Sequence, residues 1–183
     1  MKFVETKLKG AFIITPELIE DERGFFARTF CRREFEDHGL NPDLVQCNIS
    51  FNHKKGTLRG MHYQIPPHAE AKLVRCTAGA ILDVIVDLRQ KSPTFMQWHV
   101  EELSANNHRM FYIPEGFAHG FQTLADDTEL IYQHSVFYSP EHGRGIRFDD
   151  PALNITWPLA VCMISTKDQG FPLIDNHFQG IEI

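Results

Sequence analysis

Residues 80–88 alternate without a break: Leu82, Val84, Val86 and Leu88 fall on one face, Asp83, Ile85 and Asp87 on the other. A two-residue period over that length describes a β-strand with two unlike faces. Similar segments recur between turns rich in glycine and proline, at 25–30, 44–50, 57–64, 71–77, 97–103, 109–113, 120–124, 128–138 and 145–148. One segment, 32–38, reads as a helix stopped by Gly39, and a second short helix is expected after Asp150-Pro151. Many short strands at even spacing predict an all-β fold, a sandwich or a barrel of jelly-roll type with a few short helices. At 183 residues the chain fits one domain, 1–183, with a sizeable core. The stretch from Ile164 onward reads as a loop, which must return to the strands if Asp168 is to act.

Composition and charge narrow the function. A formal charge of −6 argues against a nucleic-acid partner, whose footprint would be a basic face. It leaves room for a small anionic ligand, because a few focused cations can hold a diphosphate inside an acidic protein. The four cysteines are widely spaced and form no CxxC pair, so they are expected to be reduced thiols. The first residues lack a signal-peptide hydrophobic stretch, and no apolar run reaches membrane-spanning length. A cytoplasmic protein with no membrane contact is the expectation.

The run Thr57-Leu58-Arg59-Gly60-Met61-His62-Tyr63-Gln64 pairs a fixed cation with a titratable ring on one strand. Period two puts Leu58, Gly60, His62 and Gln64 on one face. Arg59, Met61 and Tyr63 take the other, unless a bulge at Gly60 redirects one of them. Lys72, Val74 and Cys76 share a face of the next strand, and Tyr132, His134, Val136 and Tyr138 share one late in the chain. A lumen lined by His62, Lys72, Tyr132 and Tyr138 fits these faces.

A metal centre is the first chemistry to weigh in such a fold. It would draw on an HxH pair, but His62 has Gly60 and Gln64 at the same-face positions. Only His119, in Ile113-Pro114-Glu115-Gly116-Phe117-Ala118-His119-Gly120, stands where a late metal histidine would. No metal and no cofactor is expected. Proton transfer uses more of the residues. Inverting a carbon beside a ketone needs a base on one face, an acid on the other and a cation near the developing enolate oxygen. His62 suits the base, with Asp168 to orient it, Tyr132 the acid and Lys72 the oxygen. Each has a bland rival: a satisfied core histidine, a packing aromatic, a solvated lysine, a surface Lys167-Asp168 pair. His53, His68, His99, His108, His134, His142 and His177 read as structural or surface.

Ordered blocks over almost the whole length strengthen the second reading. They include Asp21-Glu22-Arg23-Gly24-Phe25-Phe26, Gln46-Cys47-Asn48, the Arg59–His62 run, Lys72-Leu73-Val74-Arg75-Cys76, the Pro114–His119 run, Tyr138-Ser139-Pro140 and Lys167-Asp168. In these the chain resembles the dTDP-4-dehydrorhamnose 3,5-epimerase family, cupin-fold enzymes that act on a nucleotide 4-keto sugar. The resemblance implies a cupin/jelly-roll β-barrel, a His62–Asp168 dyad as base, Tyr132 as opposing acid and Lys72 facing the keto oxygen. It assigns Arg23, Arg59 and Lys167 to the diphosphate, and Gln46, Asn48 and His119 to the pocket lining. Tyr138 would stack on the base of the nucleotide. It further implies a metal-free homodimer with strand exchange, in which Arg23, Phe26 and Arg28 serve the partner's site. Three positions depart from the family pattern: Arg28 and Gly143 where glutamate is common, and Cys47 where aspartate is. All three bear on ligand recognition. A single-carbon epimerase, a non-catalytic nucleotide-sugar-binding cupin and a metal-dependent oxygenase are the competing readings.

Overall fold

The computed structural model describes residues 1–183. Thirteen strands and two short helices follow one another along the chain. The first four strands are β1 (Lys2–Glu5), β2 (Phe12–Thr15), β3 (Leu18–Asp21) and β4 (Gly24–Ala27), and helix α1 (Arg32–Asp37) comes next. The central strands are β5 (Gln46–Asn52), β6 (Leu58–Gln64), β7 (Lys72–Ala78), β8 (Ala80–Asp87) and β9 (Trp98–Ser104). After them come β10 (Met110–Ile113), β11 (Phe117–Thr123), β12 (Thr128–His134), β13 (Gly143–Gly145) and helix α2 (Thr166–Gln169). No helix is long and apolar enough to cross a membrane.

All strand pairs are antiparallel. One sheet runs β1-β2-β10-β7-β12-β5 and the other β13-β6-β11-β8-β9. The hairpin β3-β4 pairs only with itself. Both large sheets have free edges, so hydrogen bonding closes neither into a ring, and the expected barrel is an open pair of facing sheets.

Between the sheets lies a core of twelve buried residues, including Val74 and Cys76 of β7, Ile81 and Ile85 of β8, Phe117 and Phe121 of β11, and Leu130 of β12. Burying aliphatic and aromatic side chains at roughly 1.5–3 kcal/mol each is what holds the sheets together. The other face of the β8 alternation, Val84, Val86 and Leu88, packs outward with Met61, Ala118 and Ile146 under the C-terminal loops. Thus β8 is covered on both sides, as its nearly continuous apolar run requires. Helix α1 inserts Phe35 against Leu73, Met110 and Tyr112 on the outside of the six-stranded sheet. Gly39 ends the helix at φ +69°, where its amide and that of Leu40 bond back to Glu36 and Phe35 carbonyls.

Several expectations need correction. Strands β1 to β3 come from segments too short and too mixed to show a period. The strand begun at 128 stops at His134, so Tyr138 lies beyond it. The strand expected at 145–148 is Gly143–Gly145, and that at 120–124 begins at Phe117. No helix follows Asp150-Pro151. The Asp150 carboxylate there accepts hydrogen bonds from the Ala152 amide at 2.9 Å and the Ile174 amide at 2.6 Å, which fixes a turn instead. The stretch expected to be loop contains α2.

Candidate active site

The lumen changes character along its strands. Toward one end Val74, Cys76 and Leu130 fill it; toward the other the same strand faces carry Lys72, Tyr132 and His134. The polar end opens as a cavity of about 320 Å³, lined from the five-stranded sheet by Arg59, His62 and His119, and from the six-stranded sheet by Asn48, Lys72 and Tyr132. Tyr138 and Lys167 reach it from loops.

Arg59 and His62 share this cavity despite their odd spacing. In the β6–β11 pair His62 stands opposite His119 and Arg59 opposite Phe121, so β6 carries one residue more than its partner between those pairs. The extra residue is a bulge at Gly60-Met61, which turns Met61 into the outer core and shifts the parity of everything before it. Only glycine fits there: Gly60 has φ +131°, and a Cβ on it would lie 2.5 Å from the Gly120 Cα.

His62 Nε2 bonds the Asp168 carboxylate at 2.8 Å. The same carboxylate accepts the Gly60 amide at 3.1 Å, and the Asp168 amide donates to Ser165 Oγ at 3.0 Å, capping α2. One short helical turn therefore carries the acid, aims it and ties it to the bulge. Burial opposes ionisation of Asp168, but the hydrogen bond and charge of His62, with the Gly60 amide, hold its carboxyl below the ordinary range. Phe171 meets the His62 ring edge-on at 5.7 Å and packs over Gly145, where no Cβ fits.

Tyr132 packs at the rim of the apolar core. Burial pushes its phenol far above the usual value, and the nearby Asp83 charge pushes the same way. The hydroxyl therefore stays a proton donor. Asp83, from the lumen face of β8, is wholly buried and bonds His119 Nε2 at 2.7 Å. Burial raises its carboxyl, and His119 pulls it back only in part. Its second oxygen has no partner. Lys72 is only 8% exposed and pairs at 3.0 Å with Glu70, which also meets His134 at 2.8 Å.

Of the residues singled out in the sequence, His62, Lys72, Tyr132, His119, Asn48, Arg59, Tyr138 and Lys167 line one cavity, and Asp168 backs it. Gln46 stands behind the lining, where its carbonyl accepts the Tyr138 amide at 3.1 Å. Arg23, Phe26 and Arg28 do not reach this cavity: they sit on or just after the β3-β4 hairpin, with Arg23 on Asp21 and Arg28 on Glu34. Of the departures, Cys47 is exposed on β5, and Gly143 lines the cavity without a side chain. His134, expected to be structural or surface, belongs to the site. Asp83 was placed on a strand face in the sequence but given no part in the site, and Glu70 was not singled out at all. Asp83 alternates with Ile81 and Ile85 on a core face, and an acid in that position was the available signal. No three His, Cys, Asp or Glu side chains are grouped to hold a metal ion, and His62 and His119 each have a carboxylate of their own.

An imidazole backed by a carboxylate, a phenol kept protonated and a buried ammonium, all around one cavity, can remove and return a proton beside a carbonyl. Comparison with known proteins meets this chemistry. The profile of dTDP-4-dehydrorhamnose 3,5-epimerase matches residues 5–176. The enzyme of that name from Shigella flexneri is 45% identical over 169 residues, 92% of this chain and 93% of its own. The Bacillus anthracis str. Ames enzyme, solved with TDP and PPi bound, is 43% identical with a TM-score of 0.91 over 94% of this chain and 99% of its own. The Legionella pneumophila Philadelphia 1 enzyme, solved in complex with dTDP-4-keto-L-rhamnose, is 39% identical with a TM-score of 0.91 over 100% of this chain and 98% of its own. Sequence, fold and a cavity suited to proton transfer agree, and the chain belongs to the dTDP-4-dehydrorhamnose 3,5-epimerase family.

Proposed function

We propose that the chain converts dTDP-4-dehydro-6-deoxy-D-glucose to dTDP-4-dehydro-L-rhamnose by inverting the carbons on either side of the 4-keto group. The observation that carries this reading is that His62 and Tyr132 line one cavity from opposite sheets. The His62 ring nitrogen not bonded to Asp168 takes the α-proton. Lys72 steadies the enolate oxygen. Tyr132 returns a proton from the other wall. Asp168 keeps the imidazole oriented and stabilises its cationic form. The exposed guanidinium of Arg59 and ammonium of Lys167 take the diphosphate at the mouth, and Tyr138 takes the nucleotide base.

The open sheet pair is of cupin jelly-roll type, and the enzyme is a homodimer whose β3-β4 hairpin carries Arg23, Phe26 and Arg28 to the partner's site. What supports this is a hairpin that pairs with neither sheet and leaves Phe26 74% and Ile19 68% exposed. Incubating the keto sugar in deuterated water tests the function. Label enters both flanking carbons in the double epimerase. Label at one carbon alone would make the chain a single-carbon epimerase, and binding without any exchange would make it a sugar-binding protein.

A further inference from the structure

The proton transfers proposed above leave part of the cavity's six-stranded wall without a task. His134 and Lys72 are direct cross-strand partners in β12–β7, and Gln46 of β5 is the partner of His134 on its other side. One row thus crosses three strands. Glu70 stands two residues before Lys72, just ahead of β7. Its Oε1 lies 3.0 Å from Lys72 Nζ and its Oε2 2.8 Å from His134 Nδ1. On the far side of the ring, Asn48 Nδ2 donates to His134 Nε2 at 3.3 Å, and Gln46 Nε2 donates to Asn48 Oδ1 at 3.3 Å. An amide donor at Nε2 leaves Nδ1 to carry the proton toward Glu70, so the chain of donors runs in one direction.

The side chains of Lys72 and Glu70 are each 8% exposed and that of His134 13%. Burial works against the Glu70 charge, yet the Lys72 ammonium and the His134 bond hold its carboxyl down at about 2. It is an anion wherever the enzyme works. A lysine ammonium has three donors on a flexible stem, and a charge that acts in a transition state is worth most when its direction is fixed beforehand. Glu70 is the one carboxylate that ion-pairs with Lys72 Nζ. Both members of this ion pair line the cavity.

From this row we infer that Glu70 is a positioning residue for the epimerisation: its carboxylate clamps the Lys72 ammonium against the cavity, and His134 with Asn48 anchors the clamp to β5. The inference rests on the function proposed above and adds to it residues outside the acid–base set.

The test compares wild type, Glu70→Gln, Glu70→Asp and His134→Gln in the full chain. It measures kcat, KM and deuterium uptake with the keto sugar, and TDP affinity by calorimetry. Glu70→Gln keeps the shape and loses the charge. It lowers kcat and exchange at the flanking carbons roughly 10- to 100-fold, while KM and TDP affinity stay within about threefold. Glu70→Asp keeps the charge on a shorter stem and recovers part of that loss. A purely structural Glu70 gives the reverse order, with glutamine close to wild type and aspartate worse. His134→Gln lowers kcat by about 3- to 10-fold with KM retained. Wild-type kcat in Glu70→Gln, or aspartate slower than glutamine, overturns the inference. If Glu70→Gln does not fold, His134→Gln decides: a kcat drop with KM retained supports the clamp, and a wild-type kcat overturns it. Wild type that leaves the keto sugar unexchanged removes instead the function on which the clamp depends, so the two failures are told apart.

Discussion

At His62 one ring nitrogen is committed to Asp168, and the residue lines the cavity beside Arg59. His62→Ala is expected to abolish deuterium uptake at every exchanging carbon, read by proton NMR. Asp168→Asn leaves a neutral partner of the same shape and should lower kcat by about 10²-fold or more. The same carboxylate links stability to pH. Its folded value is depressed, so its contribution is complete above the ordinary carboxylate range and is lost as pH falls through the lowered value. The stability gap between wild type and Asp168→Asn, measured by urea unfolding, should be present at pH 7 and should shrink in acid. The His62–Asp168 pair was legible in the sequence because the Arg59–His62 and Lys167-Asp168 blocks carry the family resemblance. Glu70 was not, since it precedes its strand and its role exists only through partners 2 and 64 positions away.

Glycine sets the geometry of β6 and β11. With φ at +131° and the Gly120 backbone against it, Gly60→Ala must strain or unseat the bulge that aims Arg59 and His62 together. A loss of about 1–3 kcal/mol in urea unfolding is expected, with kcat reduced in the folded fraction. Arg59→Ala, by contrast, should leave the fold intact and raise KM through the diphosphate, which steady-state kinetics checks. The long strands β7, β8 and β12 were legible because alternation runs through most of each, whereas in β6 the bulge at Gly60 breaks it and only the motif marked the strand. The four-residue strands near the start offer too few alternations. Helix α2 is one turn long and depends on the Ser165 cap, so no helical period could show it.

Taken as one body, the protein puts apolar packing at one end of the lumen and titratable chemistry at the other, which lets a stable sandwich carry a polar site. The hairpin β3-β4 stands outside that body. Phe26→Asp should weaken self-association by adding charge to its exposed apolar surface, a change that sedimentation velocity would detect. An unchanged sedimentation profile would remove the hairpin from the proposed dimer contact. Strand β5 has a further consequence for engineering. Gln46 and Asn48 join its inner polar row, while Val45, Ile49 and Phe51 are exposed. Because neighbouring residues of a ribbon look in opposite directions, sliding β5 by a single position along β12 would turn Asn48 away from His134 and bring an apolar side chain there. Anyone redesigning that outer edge for solubility should therefore replace side chains one for one, since an insertion or deletion would exchange the Asn48–His134 hydrogen bond for grease.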